Sequence, residues 1–171
     1  LLILGIFGLI LRPRTESAQA PTQSWLTIRW AFMSLFHRLA LPSLKWMVPS
    51  FIGDIYFRMM GAKIGKGAQV NSAAINDAYM VEIGEKTVIG GDAVLNGHLF
   101  ENNGIHLAKV KIGSRCLVGT HAQVNPGCVI GDGAVIASRA VLPKHTEVPP
   151  GEVWGGIPAK CIRRADGSKP E

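Results

Sequence analysis

The sequence is poor in cysteine, aromatic residues and charge. Three cysteines in 171 residues are too few for a closed disulfide framework, so we expect free thiols in a reducing compartment. Aromatic residues make up only 7% of the chain, whereas it has 20 glycines and 10 prolines, which argues against a helical bundle and for a fold dense in turns. With 18% charged and 47% apolar residues, the chain is not disordered and is suited to membrane contact.

The sequence also lacks the basic stripe of a nucleic-acid binder. Residues 1–60 carry six Lys and Arg against two Asp and Glu, while the rest of the chain carries twelve against ten, so much of the net charge of +6 belongs to the N-terminal third. Because these cations are scattered and form no basic stripe interleaved with aromatic residues, and because no known module is visible, we expect no nucleic-acid partner.

No uninterrupted apolar run is long enough to cross a bilayer, which takes about 20 residues. Residues 1–11 are apolar and precede Arg12 and Arg14. This run is interpreted as the truncated end of a transmembrane helix, as the apolar part of a signal sequence, or as an ordinary buried helix. In the first case the two arginines place the following chain on the cytoplasmic side.

Residues 15–24 are polar and are interpreted as a linker. Two helical patterns follow them. The first is broken at Pro42, and the second runs from an N-cap at Ser50 to a left-handed C-terminal cap at Gly61. Trp, Phe and Met mixed with scattered cations suit a helix lying in the membrane interface, but they also suit a helix that covers the next domain. We expect residues 1–60 to form a helical, membrane-associated segment.

An apolar residue recurs at every sixth position in the second half of the chain, and an earlier block keeps the same spacing with a one-residue slip. The positions are Ile64, Val70, Ile83, Ile89, Leu95, then Ile112, Val118, Val124, Ile130, Ile136, Leu142, Val148 and Trp154. Gly or Asn commonly follows each apolar residue, and both residue types tolerate a left-handed or tightly turned backbone. Small residues stand four positions after it. Three such hexads predict a triangular coil that stacks Ile112 over Ile130 over Val148.

This six-residue pattern resembles the left-handed β-helix of the hexapeptide-repeat acyltransferases. The resemblance rests on Ile83-Gly84, Ile89-Gly90, Ile112-Gly113, Val118-Gly119, Ile130-Gly131 and the closing Gly155-Gly156-Ile157-Pro158-Ala159-Lys160. It implies a mainly β protein with a left-handed parallel β-helix over residues 61–164, preceded by N-terminal α-helices and followed by a tail at 165–171. It further implies a homotrimer that moves an acetyl group from acetyl-CoA to a hydroxyl or amine.

The repeat is interrupted between Leu95 and Ile112 by 11 extra residues, which predicts a loop at residues 96–110. In this family such a loop commonly carries a histidine as general base and reaches the neighbouring subunit. The segment His98-Leu99-Phe100-Glu101 looks most like the membrane-associated branch of this family. That branch includes the C-terminal β-helix domains of polymerases that resemble nonribosomal peptide synthetases.

Histidine suits this chemistry because imidazole titrates near neutral pH and can take the proton that the attacking hydroxyl or amine loses. We predict that His98 is the base. Glu101 is interpreted either as the group that orients its imidazole or as a solvated carboxylate, and His106 is the rival base. The alternative interpretation of either histidine is a surface residue without a catalytic role. His121, in an outward-facing column, is expected to be exposed or to line the acyl-donor groove.

The resemblance also implies that coenzyme A lies along the coils, with the C-terminal segment near its end. Gly155 and Gly156 permit close approach of the pantetheine arm. Lys160, Arg163 and Arg164 are candidates to pair with the cofactor phosphates, although a basic C-terminal segment also suits solvent.

Two other functions fit a β-helix of this kind. A γ-type carbonic anhydrase binds zinc through three histidines, two of them about five residues apart, and no pair here has that spacing, so we expect no metal. A noncatalytic module that trimerises or anchors a complex at the membrane would not need an inserted loop with His-x-x-Glu. We therefore expect a membrane-associated acetyltransferase on the cytoplasmic face, acting on a small or membrane-linked acceptor.

Overall fold

The computed structural model describes residues 1–170, which fold into three N-terminal helices and a parallel β-helix. Helix α1 spans Leu2–Leu11, α2 spans Trp25–Met47 and α3 spans Phe51–Met59. The strands are β1 (Ser17–Pro21), β2 (Lys63–Ile64), β3 (Gln69–Val70), β4 (Val81–Ile83), β5 (Val88–Ile89), β6 (Val94–Leu95), β7 (His98–Glu101), β8 (Gly104–Ala108), β9 (Val110–Ile112), β10 (Leu117–Val118), β11 (Gln123–Val124), β12 (Val129–Ile130), β13 (Val135–Ile136), β14 (Val141–Leu142), β15 (Glu147–Val148), β16 (Val153–Gly156) and β17 (Ala159–Arg163).

The repeats form the three faces of a left-handed β-helix, as the sequence predicted. One face has the order β15-β12-β9-β4-β2, the second includes β16-β13-β10-β5-β3, and the third is β14-β11-β6. Ile130 pairs in register with Ile112 on one side and Val148 on the other. The apolar column is buried, and Val118, Val124, Ile136 and Leu142 have no exposed surface.

The glycine that follows each apolar residue has a different role from the one that the sequence suggested. The left-handed corners lie two residues further on, at Lys86, Asp92, Arg115, His121, Arg139 and His145, and at Gly67, Gly127, Gly133 and Gly151. Gly84 and Gly119 are instead needed because adjacent coils approach closely. A Cβ atom on Gly119 would lie 2.4 Å from the Ser138 backbone nitrogen, and one on Gly84 would lie 2.5 Å from the Gly113 carbonyl carbon.

The slip in the first coil is absorbed by a short 3-10 helix. Ile75 takes the place of the expected hexad residue and bridges to Leu95. The extra chain then forms the 3-10 turn Ala78–Met80 before β4 returns to the regular register, with Ile64 opposite Ile83. This turn places Asp77 inside the molecule, where its side chain is 2% exposed.

The N-terminal third differs from the prediction in two places. Residues 17–21 are not a free linker, because β1 pairs antiparallel with β8 of the inserted segment. Pro42 does not end the helix, and α2 continues through it to Met47. Pro42 removes one backbone donor, but the residue whose carbonyl loses its partner, Arg38, is exposed and can bond to water. The predicted start of α3 is confirmed, since Ser50 caps it by accepting from the Gly53 amide.

The helices bury one set of apolar side chains in the common core and leave another set exposed. Leu44, Tyr56 and Phe57 are buried against the coil. The exposed set, called here the apolar helix surface, is formed by Leu2, Ile3, Ile6, Phe7, Leu9, Ile10, Trp25, Ile28, Phe32, Leu35, Leu39, Trp46, Phe51, Ile52 and Ile55. Within residues 1–170, none of the helices is both long and apolar enough to cross a membrane.

Candidate active site

The inserted segment is a β-hairpin that presents His98 at its base. Strand β7 begins at His98 and pairs with β8, so that His98 lies opposite Leu107. Strand β1 adds to the other edge of β8, which gives a three-stranded sheet that links the N-terminal third to the coil. The inserted segment is therefore part of a three-stranded sheet and not a free loop.

His98 is held by a buried carboxylate. Its Nδ1 lies 2.6 Å from Oδ2 of Asp77. The same oxygen accepts the Gly97 amide at 3.0 Å, and Oδ1 accepts the indole N–H of Trp30 at 2.9 Å. Because the carboxylate can only accept, Nδ1 of His98 carries a proton, and in the neutral imidazole Nε2 keeps a free lone pair. This is the tautomer that a general base requires.

Two aromatic side chains pack around the imidazole. The ring centroids of Trp30 and His98 are 4.5 Å apart, and the Phe100 ring packs edge-on against Trp30 at 5.1 Å. Since Trp30 comes from α2, the N-terminal third supplies both a wall of the site and a hydrogen bond to the carboxylate. The His98 side chain is 22% exposed, so it remains accessible on one side.

A cavity of about 270 Å³ opens beside His98. It is lined by Ser34, Arg38, Asn76, Asn96, His98, Leu99 and Phe100. The side-chain amide nitrogen of Asn76 donates to the side-chain oxygen of Asn96 at 2.6 Å, and this bond fixes a polar wall of the cavity. Helix α2 provides the opposite wall through Ser34 and Arg38. We call this the His98 pocket.

Glu101 does not orient His98, contrary to one of the two interpretations of the sequence. Side chains alternate along a strand, so Glu101 lies on the opposite face of β7 from His98. Its two carboxylate oxygens bind the Lys144 ammonium at 2.5 and 2.6 Å, and this hydrogen bond lowers the pKa of Glu101 below its usual value. Asp77, and not Glu101, is the carboxylate that contacts the His98 imidazole.

His106 lies on the Glu101 side of the hairpin, away from His98. Its Nδ1 lies 2.8 Å from the side-chain amide nitrogen of Gln19 in β1. The same nitrogen lies 3.8 Å from Oε1 of Glu101. The ring centroids of His106 and His145 are 5.5 Å apart. The polar neighbours of Nδ1 are therefore Gln19 and Glu101, and the buried Asp77 is not among them. His121 is an exposed coil corner.

The predicted cofactor residues lie in a C-terminal hairpin formed by β16 and β17. Gly155 pairs with Lys160 across it, and Gly156 has a positive φ of 97°. Lys160, Arg163 and Arg164 are exposed and form no ion pair with any of residues 1–170. No hydrogen bond within that range joins them to His98.

The cysteines and histidines do not form a metal centre within one chain. In the described part of the chain, no group of three or more His, Cys, Asp or Glu side chains is placed to hold a metal ion. All three cysteines are free. Cys116 and Cys128 are buried in the small-residue column, where burial raises the pKa of both thiols, so they serve packing.

Residues 109–144 match the family described as bacterial transferase hexapeptide (six repeats). The chain is 32% identical over 127 residues to galactoside O-acetyltransferase of Escherichia coli strain K12, covering 69% of this chain and 60% of that protein. The chain belongs to the hexapeptide-repeat transferase family. A solved galactoside acetyltransferase in complex with coenzyme A has the same fold, with a TM-score of 0.62, 20% identity and 86% coverage of each chain.

This hexapeptide-repeat chain is also similar to a much larger protein. It is 27% identical over 150 residues to delta-poly-L-ornithine synthetase of Acinetobacter baumannii strain AB307-0294. That alignment covers 88% of this chain but only 11% of the synthetase. The chain thus spans a small part of one relative and about 60% of the other.

Two residues of the site were missed by sequence reasoning. Asp77 lies in the slip between Val70 and Ile83, and that break in an otherwise regular repeat was the available signal. Trp30 carried no signal, because its spacing was that of an ordinary amphipathic helix.

Proposed function

We propose that this chain is a coenzyme A-dependent acetyltransferase that acts on a hydroxyl or amine acceptor, with His98 as general base. The observation that carries the proposal is the 2.6 Å contact between His98 Nδ1 and the buried Asp77 carboxylate, which leaves Nε2 free beside the His98 pocket. The names of the galactoside acetyltransferase relatives support the reaction class.

The role of His98 follows from its hydrogen bonds. Acetyl-CoA supplies an activated thioester carbonyl when bound. His98 Nε2 takes the proton from the acceptor oxygen or nitrogen as that atom attacks, and the resulting imidazolium returns a proton to the leaving group. Asp77 stabilises the imidazolium and keeps the ring in the productive tautomer. Asn76 and Asn96 supply polar groups at the mouth of the same pocket for acceptor or oxyanion binding.

We propose that Lys160, Arg163 and Arg164 bind the phosphates of the donor. The residues fit such a group because they are exposed cations with no carboxylate partner in residues 1–170, at the end of the coils where Gly155 and Gly156 leave the backbone accessible. If Arg163 and Arg164 contact the 3′-phosphate, which dephospho-coenzyme A lacks, the double variant Arg163→Gln/Arg164→Gln should weaken binding of coenzyme A but not of dephospho-coenzyme A, measured by calorimetric titration. An equal loss for both ligands would assign the arginines to the diphosphate that both carry, and unchanged binding of both ligands contradicts the assignment.

We also propose a homotrimer at the cytoplasmic face of a membrane. Leu117 and Val129 are exposed apolar residues on the outer faces of the coil, as an interface between copies requires. The apolar helix surface supports membrane contact, since its Trp and Phe side chains suit the interface between headgroups and acyl chains.

The activity is tested by following release of the free thiol from acetyl-CoA with a panel of hydroxyl and amine acceptors. We expect acceptor-dependent release by the wild-type protein. A folded protein that binds acetyl-CoA yet acetylates none of the acceptors, or does not bind acetyl-CoA, would favour the noncatalytic scaffold instead.

A further inference from the structure

A second, strongly basic cavity lies at the junction of the N-terminal helices and the first coil, away from the His98 pocket. It has a volume of about 410 Å³ and is lined by Arg12, Pro13, Arg14, Thr15, Glu16, Arg58, Gly61, Ala62, Lys63, Tyr79 and Lys109. Five of these side chains are cationic and only Glu16 is anionic. We call it the basic cavity.

Part of this positive charge is neutralised within the protein. Lys109 contacts Glu16 at 3.0 Å and Glu82 at 2.9 Å, and Lys63 contacts Glu82 at 2.8 Å. Arg58 donates to the Ile64 carbonyl at 2.6 Å. Within residues 1–170, Arg12 and Arg14 make no ion pair. Two carboxylates thus face five cations, and the cavity keeps a net positive charge.

The two unpaired arginines are placed to act together. Arg12 follows α1 in an extended conformation, with φ −54° and ψ 133°, and Pro13 behind it is buried. Both residues line the cavity, and the planar donors of a guanidinium group match the oxygens of a phosphate.

The arginines are not needed to cap the helix that precedes them. Cations often complement the partial negative charge at a helix C-terminus. At the end of α1 this is done by Arg29, whose guanidinium donates to the Leu11 carbonyl at 3.2 and 3.0 Å and to the Arg12 carbonyl at 3.0 Å. Arg12 and Arg14 are left for another partner.

Exposed apolar residues stand close in sequence to the arginines of the basic cavity on two helices. Helix α1 carries Leu9 and Ile10, which are 44% and 69% exposed, directly before the arginines. Helix α3 carries exposed Ile52 and Ile55 before Arg58. The two helices meet closely, since a Cβ on Gly5 would lie 3.0 Å from Met59 side-chain atoms. Leu9 and Ile55 each stand three residues, or about one helical turn, before an arginine that lines the cavity.

We propose that the basic cavity binds the phosphate headgroup of an anionic lipid, with the acyl chains against the apolar helix surface. A soluble phosphate would make use of the cations but not of the exposed apolar residues around them, whereas a phospholipid uses both. This site is separate from the His98 pocket and does not rest on the transferase activity.

The test is binding of the full chain to vesicles of phosphatidylcholine alone and of phosphatidylcholine mixed with phosphatidic acid. We expect phosphatidic acid to strengthen binding about tenfold or more, and the variant Arg12→Gln/Arg14→Gln to lose most of this gain. The matched control Arg115→Gln/Arg139→Gln removes the same charge from exposed coil corners and should keep it.

Three results would overturn the proposal. They are unchanged binding by Arg12→Gln/Arg14→Gln, equal losses in both double variants, or binding of glycerol 3-phosphate that depends on the two arginines while the vesicles are not discriminated. The last result would assign the cavity to a soluble phosphate. If the double variant unfolds, Arg14→Gln alone, at an exposed side chain, should still lose a measurable part of the discrimination.

Discussion

At the scale of single residues, the candidate chemistry depends on a carboxylate with three hydrogen bonds. Asp77 accepts hydrogen bonds from the imidazole of the proposed base, from a turn amide and from an indole of a distant helix. Because its side chain is almost fully buried, water cannot replace any of these bonds. The site is therefore sensitive to changes that keep the size of this side chain and alter only its hydrogen bonding.

Asp77→Asn tests this role. The amide can accept on only one atom, so one of the donors now faces an NH₂ group and His98 loses its enforced tautomer. We expect turnover to fall about 100-fold or more, measured as thiol release at saturating acetyl-CoA, with acetyl-CoA binding preserved. Glu101→Gln, on the opposite face of β7, is the matched control and should keep wild-type turnover. Equal loss in the two variants would return the orienting role to Glu101.

Trp30→Phe removes a single hydrogen bond to Asp77 while retaining the ring against His98. We expect a smaller effect on turnover, about three- to tenfold, because a hydrogen bond to a charged acceptor contributes roughly 1.5 to 3 kcal/mol and only part of this bears on His98, which keeps its own bond to Asp77. The measurement is kcat together with the KM for acetyl-CoA. A change confined to KM would place Trp30 in donor binding instead.

At the scale of secondary-structure elements, the coils are limited by how closely their backbones stack. Gly119→Ala would place a methyl group against the Ser138 backbone, which cannot move without shifting a whole coil. We expect a loss of about 2 kcal/mol in the free energy of unfolding and a melting temperature lower by several degrees. Gly91→Ala, where nothing lies within 4 Å of the added atom, is the control. Equal melting temperatures would show that close stacking does not explain the glycine column.

The repeat pattern predicted the coils well because each strand is set by neighbouring residues. The hexad places one apolar residue in a two-residue strand, so register between coils follows from counting. The pairing of β1 with β8 was missed because it joins segments nearly ninety residues apart, with no shared pattern between them. The Trp30 bond to Asp77, 47 residues away, and the contact of Asp77 with His98 across 21 residues were missed for the same reason.

The apolar helix surface leads to a prediction about α2. Leu35→Glu/Leu39→Glu places two charges on its exposed face without touching the buried residues Met33, His37 and Ala40. If this face meets the membrane, the variant should move from the membrane fraction to the soluble fraction on cell fractionation, with an unchanged melting temperature. Unchanged partitioning, with the fold intact, would contradict membrane contact through this helix.

At the scale of the whole molecule, the N-terminal third and the β-helix form one functional unit. Helix α2 supplies Trp30 and the wall of the His98 pocket formed by Ser34 and Arg38, and β1 pairs with the hairpin that carries His98. The proposed membrane contact and the proposed chemistry therefore share the same helix. This arrangement would bring a membrane-linked acceptor close to the base.

The most direct test of the account is the turnover of His98→Ala compared with His106→Ala, both at saturating acetyl-CoA with an accepted acceptor. We predict that His98→Ala loses about 100- to 10,000-fold in turnover while it folds normally and binds acetyl-CoA like the wild type. His106→Ala should stay close to wild-type turnover. Full activity in His98→Ala, or a loss confined to His106→Ala, would contradict the assignment of His98 as the base.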